Sequence, residues 1–63
     1  MNQKLTLKEF IEQVRDIIMS DHKVSEKEAY DIATFDEDTV KTWWKENVPV
    51  DEAALMQWNQ WNR

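Results

Sequence analysis

The sequence predicts an all-α fold, a compact single domain of four helices formed by residues 1–63. Four segments begin with a helix N-cap signature, and apolar residues recur behind each signature at helical spacing. No segment alternates apolar and polar residues as a strand would. The predicted helices cover about 7–20, 26–34, 37–47 and 52–62, and the second and third resemble a helix-turn-helix.

The first two helices begin with capping boxes. Thr6 and Glu9 form the first box, and Ser25 and Glu28 form the second. The first helix then has apolar residues every three or four positions: Leu7, Phe10, Ile11, Val14, Ile17 and Ile18. The second helix is short, and its inward positions hold the small residues Ala29 and Ala33 on either side of Ile32, so we expect close packing on a neighbouring helix.

The last two helices have aspartate at the predicted N-cap positions. Asp36 and Asp51 are expected to accept hydrogen bonds from the first backbone N–H groups of these helices. Each aspartate lies between apolar residues in staple positions: Phe35 and Val40, and Val50 and Leu55. Asn47 tolerates the left-handed conformation that ends a helix. The inward face of the fourth helix is predicted to hold Ala54, Leu55, Trp58 and Trp61, with Asn and Gln residues opposite.

The net charge of -5 comes from the middle third of the sequence. Residues 21–40 hold seven acids and two lysines, whereas acids and bases balance on both sides of this segment. A general nucleic-acid binder should carry a basic face, which this distribution argues against. The sequence lacks cysteine and an apolar stretch long enough to cross a membrane, so we expect a soluble, cytoplasmic protein.

Few residues point to catalysis or to metal binding. Ser20, Asp21, His22 and Ser25 lie close in sequence, but triads are formed by geometry and rarely by neighbours, and His22 is instead expected at the end of the first helix. Asp36 and Asp38 resemble the start of a calcium loop that lacks its glycine. We therefore predict no catalytic residue, no metal and no cofactor, and hence no enzyme.

Residues 28–45 resemble the helix-turn-helix family of DNA-binding proteins. The stretch Asp36–Trp43 is similar to the second helix of that motif, with a capped start, a buried branched residue and a buried tryptophan. Thr34 stands where the motif has its turn glycine, and Tyr30 where it has a small residue. The resemblance implies DNA contacts by Lys41, Thr42 and Lys45, at a helix that begins with three acids.

Four tryptophans are many for a chain of 63 residues. Trp43 and Trp58 are predicted as core residues. Trp44 and Trp61 are candidates for partner binding, because exposed tryptophans often anchor interfaces, and the alternative is partial burial within the monomer. The acids of the middle third are the second candidate set, either as a docking face or as a well-capped, solvated helix surface: Asp31, Asp36, Glu37 and Asp38, with Glu28.

These observations favour a small acidic protein that works without catalysis, by docking on a macromolecular partner. The expected partner is another protein with a basic surface, and the expected role is that of a regulator or inhibitor. In size and charge the chain is similar in style to accessory proteins of phages and mobile elements, although no motif supports that comparison. The alternatives are a helix-turn-helix DNA-binding regulator and, for the surplus tryptophans, a homodimer.

Overall fold

A computed structural model describes residues 5–63 and confirms the all-α fold of four helices. The helices are α1 (Leu7–His22), α2 (Glu26–Ala33), α3 (Glu37–Lys45) and α4 (Val50–Trp61), and no strand occurs within this part of the chain. The molecule measures 33 × 20 × 16 Å along its principal axes.

The longest helix, α1, organises the packing. It contacts each of the other three helices, and α4 also packs against α2. Its inward face provides four of the buried apolar side chains, and Val14 at its centre is completely buried. The remaining buried apolar residues come from the other helices: Ala29, Ile32 and Ala33 of α2, Val40 of α3, and Ala53 and Ala54 of α4. Ala29 and Ala33 are buried as predicted, and side chains this small permit close packing on a neighbouring helix.

The helix starts agree with prediction in the first half of the chain. Thr6 Oγ1 accepts from the Glu9 backbone N–H at 3.1 Å, and Glu9 Oε1 accepts from the Thr6 backbone N–H at 2.9 Å. Ser25 Oγ accepts from the Glu28 backbone N–H at 3.2 Å. The reciprocal bond from Glu28 is not among the contacts of the described residues, so α2 has half of its predicted capping box.

The prediction that Asp51 caps α4 is wrong. The helix begins at Val50, with Pro49 at the N-cap position, so Asp51 lies inside the first turn. Proline fixes φ and pre-organises the chain for a helix start, and the carboxylate then faces the positive end of the helix dipole. The start of α4 is therefore earlier than residue 52.

α3 ends at Lys45, two residues before the predicted end at 47, although Asn47 adopts the predicted left-handed conformation. Asn47 adopts the left-handed conformation with φ 61°. The Val48 backbone N–H donates to the Trp43 carbonyl at 3.0 Å, and the Asn47 N–H donates to the Trp44 carbonyl at 3.2 Å. This arrangement satisfies carbonyl groups that a helix end would leave unpaired, so the regular helix ends at Lys45.

The predicted inward face of α4 is correct at Ala54 and wrong at Leu55 and Trp61. Leu55 is 58% exposed, whereas Ala53, Ala54 and Gln57 are buried. Gln57 is completely buried, and its Nε2 donates to the carbonyl oxygens of Ile32 and Phe35, each at 2.8 Å. Gln57 Oε1 is buried and accepts no hydrogen bond from the described residues. One buried amide thus joins α4 to the C-terminal end of α2.

The tryptophans predicted in the core lie at its edge. Trp43 and Trp58 are half-buried and pack against the buried cluster. His22 is the last residue of α1, as predicted, and its ring stacks on Trp58 with 3.6 Å between centroids and 5° between planes. This stack attaches the end of α1 to α4. None of the helices in residues 5–63 is long and apolar enough to cross a membrane.

We expect replacement of Gln57 to destabilise the fold. Gln57→Met keeps the volume but removes both donors, and it should lower the free energy of unfolding by about 1 kcal/mol, because losing two hydrogen bonds is partly offset by removing the unpaired Oε1. Gln57→Ala also leaves a cavity and should cost about 2–4 kcal/mol. Urea unfolding measures both values.

Gln13→Ala is the matched control, since Gln13 is exposed on α1. This variant should stay within about 0.5 kcal/mol of the parent. Equal stabilities of the Gln57 and Gln13 variants would show that the buried amide does not hold α4 in place.

Candidate functional site

Two aromatic side chains form an exposed pair at the surface. Phe35 lies in the connection between α2 and α3, and Trp61 is the last residue of α4. Phe35 is 42% exposed and Trp61 is 40% exposed. Their rings meet edge to face, with 5.5 Å between centroids and 89° between planes. Phe35 therefore packs against Trp61 of α4, whereas Val40, its predicted staple partner, is buried in the core.

The aromatic pair is held by contacts on both of its sides. The backbone carbonyl of Phe35 accepts from Gln57, one turn before Trp61 on α4. Gln60 Nε2 donates to Asp36 Oδ2 at 3.3 Å, which joins the residues next in sequence to each aromatic. The α2–α3 connection is thus fixed to the last turn of α4 at two consecutive residues, so the pair is pre-organised.

Asp36 has a structural role that differs from the predicted cap. It adopts the left-handed conformation with φ 55°, and its side chain makes no capping bond to a backbone N–H. Asp36 Oδ2 accepts from the Thr39 hydroxyl at 2.8 Å as well as from Gln60. Asn and Asp tolerate this conformation better than other non-glycine residues. The carboxylate therefore stabilises the turn and connects it to α4.

Two further acids lie beside this turn. Glu37 and Asp38 are exposed in the first turn of α3, where a negative charge is favoured by the helix dipole. We call the exposed aromatic pair and the three following acids the aromatic–acidic patch: Phe35, Trp61, Asp36, Glu37 and Asp38. Asp31, the remaining candidate acid, lies on α2, where its carboxylate is 3.5 Å from Lys27 Nζ.

Trp44 lies in a different environment from Trp61. It is half-buried, packs against the core, and its indole N–H donates to the backbone carbonyl of Leu5. This contact joins α3 to the segment preceding α1. The structure thus separates the two candidate tryptophans: Trp61 belongs to the exposed aromatic pair, and Trp44 makes an intramolecular contact.

The residues predicted to contact DNA lie on α3. Lys41, Thr42 and Lys45 are exposed, and the Thr42 hydroxyl donates to the backbone carbonyl of Asp38 at 3.0 Å. The main packing partner of α3 is α1. Because α3 begins with exposed acids, this helix presents charges of both signs to the solvent.

Two of the four residues considered for catalysis, His22 and Ser25, are engaged in structural contacts. Ser25 Oγ caps α2, and the His22 ring stacks on Trp58. Within residues 5–63 no group of three or more His, Cys, Asp or Glu side chains is placed to hold a metal ion.

Arg15 links the first two helices. Its Nη2 lies 2.7 Å from Asp16 Oδ1, and its Nη1 lies 3.3 Å from Glu26 Oε2 at the start of α2. The hydrogen bond that Arg15 donates to Asp16 raises the pKa of the Arg15 guanidinium, and the charges of Glu26 and Glu12 act in the same direction. This cation is therefore charged at any physiological pH and neutralises part of the acidic surface.

Sequence reasoning missed two residues of this site. Phe35 and Gln60 were assigned to a helix staple and to an outer polar face, yet they define the position of the pair. The available signal was spacing, since Gln57, Gln60 and Trp61 recur at helical intervals that place them on one side of α4.

Comparison of this chain with protein-family models, with curated proteins and with solved structures gives no significant match. The geometry and charge of the surface are therefore the features that bear on function.

Asp36→Ala should lower the free energy of unfolding by about 1–2 kcal/mol, because it removes the acceptor of two side-chain hydrogen bonds at a left-handed residue. Asp36→Asn keeps an acceptor and tolerates the conformation, so it should retain most of the stability. Thermal or urea unfolding of the two variants measures the difference. If both variants are as stable as the parent, Asp36 is simply a surface acid.

Proposed function

We propose that this protein acts without catalysis, as a small acidic module that docks the aromatic–acidic patch on a partner protein and thereby regulates or inhibits it. The observation that carries the proposal is the exposed Phe35–Trp61 pair, held in place by α4. Trp44 is left out of the docking surface because of its contact with Leu5.

The aromatic pair has the properties of an interface anchor. Aromatic residues dominate the affinity of protein interfaces when a partner buries them, and tryptophan is the most enriched. The hydrogen bonds that fix the α2–α3 connection to α4 mean that little ordering is needed on binding. Pre-organisation of this kind increases affinity because less conformational entropy is lost.

The charges beside the pair favour a basic partner. Glu37 and Asp38 are exposed, and the whole chain carries a net charge of -5. Such a surface accelerates association with a positively charged surface and disfavours an acidic one. A second copy of the chain would bring the same acids to the interface, so charge argues for a different protein as the partner.

The DNA-binding alternative has less support. Lys41 and Lys45 lie on the same short helix as Glu37 and Asp38, whose carboxylates repel phosphates. A recognition helix usually contacts DNA with its N-terminal residues, and on α3 these residues are acidic.

Capture experiments with matched variants test the docking proposal. Wild type, Trp61→Ala and Leu55→Ala are immobilised, exposed to a lysate of the organism that encodes the chain, and compared by quantitative mass spectrometry. Leu55 is the control because it is exposed on a different face of α4. We expect Trp61→Ala to lose the specific partner by about tenfold or more, since anchor residues carry most of an interface's affinity, and Leu55→Ala to retain it.

A second pair of variants tests the charges. Glu37→Gln/Asp38→Asn should weaken capture and reduce its salt dependence, whereas Asp51→Asn/Glu52→Gln makes the same change in the first turn of α4 and should not. All variants are checked for folding by circular dichroism. Equal capture by Trp61→Ala and Leu55→Ala would show that the patch is not the docking surface.

Duplex DNA should not bind. In a gel shift at low salt, where electrostatic binding is strongest, we expect no retarded band at micromolar protein. A band that weakens steeply with salt and disappears on Lys41→Ala would replace the docking proposal with the DNA-binding alternative.

A further inference from the structure

An open groove of about 340 Å³ lies between α1, α2 and α3. Its lining comprises two turns of α1 and one residue from each of the other two helices: Leu7, Lys8, Ile11, Glu12, Tyr30 and Glu37. Glu37 also belongs to the aromatic–acidic patch, so the groove and the patch adjoin along the chain at the start of α3.

The interior of the groove is apolar. Ile11 is 7% exposed, Leu7 is half-buried, and Tyr30 is 49% exposed. Tyr30 stands where the helix-turn-helix pattern has a small residue, and in the structure it leaves half of its surface open to solvent. An accessible apolar surface made of an aliphatic floor and an aromatic ring is suited to a single large apolar side chain.

The charged groups at the groove are two glutamates and one lysine. Glu12 is partly buried, whereas Glu37 and Lys8 are exposed. Asp36 and Asp38, next to Glu37 in sequence, add to the negative charge on that side. The lining contains no buried polar side chain that would orient a small polar ligand, so a metabolite site is disfavoured.

We infer that this groove binds a large apolar side chain from a basic amphipathic helix of the partner protein, with arginine or lysine residues of that helix facing Glu12 and Glu37. The inference rests on the proposed docking function and specifies the partner's chemistry. Charge complementarity selects the occupant, because a second copy of this chain or an anionic lipid surface would add negative charge.

A helix is a form of partner that can present apolar side chains to two sites that adjoin along the chain. Helix-in-groove recognition uses apolar anchors at intervals of three, four or seven residues, with charged residues beside them. The groove would take one anchor, and the Phe35–Trp61 pair would contact a second anchor or an arginine. Arginine is favoured over the exposed indole because a cation over an aromatic face is attracted to its quadrupole.

A designed peptide tests the inference directly. The probe is an 18-residue amphipathic helix with leucine on one face and arginine and glutamine on the other. The control peptide carries glutamate in place of each arginine. In a titration of ¹⁵N-labelled protein, we expect the arginine peptide to shift the backbone amides of Ile11, Tyr30 and Glu37 saturably. The glutamate peptide should shift none of them.

Variants of the groove measure each contribution by calorimetry. Tyr30→Ala should weaken binding of the arginine peptide about five- to tenfold, from lost apolar contact. Glu12→Gln/Glu37→Gln should weaken it by a similar factor at low salt and by less at high salt. Glu46→Gln/Glu52→Gln, which neutralises two exposed acids outside the groove, should leave binding within twofold of the parent.

The inference is wrong if the peptide leaves the groove amides unshifted, or if it binds Tyr30→Ala and Glu12→Gln/Glu37→Gln as tightly as the parent. Its failure is distinguishable from failure of the docking proposal. Partner capture that depends on Trp61 but not on Tyr30 would keep the docking function and reject the groove. Peptide binding in the groove, with capture unaffected by Trp61→Ala, would keep the groove and reject the patch.

Discussion

The buried amide of Gln57 is the interaction on which the rest of the structure depends. At the end of α2, Gln57 lies opposite the carbonyl groups of Ile32 in the last turn and of Phe35 just beyond the helix. Gln57 provides a donor to both from inside the core. Because these bonds fix the rotation of α4, they also determine that Ala53 and Ala54 face inward and that Trp61, one turn later, meets Phe35.

The same geometry makes stability and surface chemistry inseparable near the α2–α3 connection. Phe35 contributes its carbonyl to the core and its ring to the surface. Asp36 contributes its carboxylate to Thr39 and Gln60, so this acid is largely used within the fold. A domain of this size buries only about 60% of the surface its unfolded chain exposes, so residues at its surface often also contribute to its stability. Of the three acids in the aromatic–acidic patch, Glu37 and Asp38 are therefore more available for a partner than Asp36.

Several contacts between neighbouring residues were predicted correctly from the sequence, although the caps at Asp36 and Asp51 were wrong, and contacts between distant residues were missed. The capping bonds of Thr6 and Ser25 and the left-handed Asn47 involve groups within a few positions, so local patterns identified them. In α4, hydrophobicity alone selected Leu55 for the core, since burial of Gln57 is favourable only because the carbonyls of α2 lie opposite. The exposed ring of Phe35 was not predicted for the same reason: its exposure depends on how the helices pack.

Asp36 connects these features into a single surface. A left-handed conformation costs a non-glycine residue roughly 1–2 kcal/mol. The chain has no glycine, the residue that adopts this conformation without that cost, and Asp36 occupies the turn. The two side-chain bonds to Asp36 offset this cost and hold the chain in a sharp change of direction. The residue before it, Phe35, is thereby directed to Trp61, and the residue after it, Glu37, to the groove on α1. One strained backbone position thus sets the relative orientation of both proposed contact sites, so a partner helix must match that orientation to use them together.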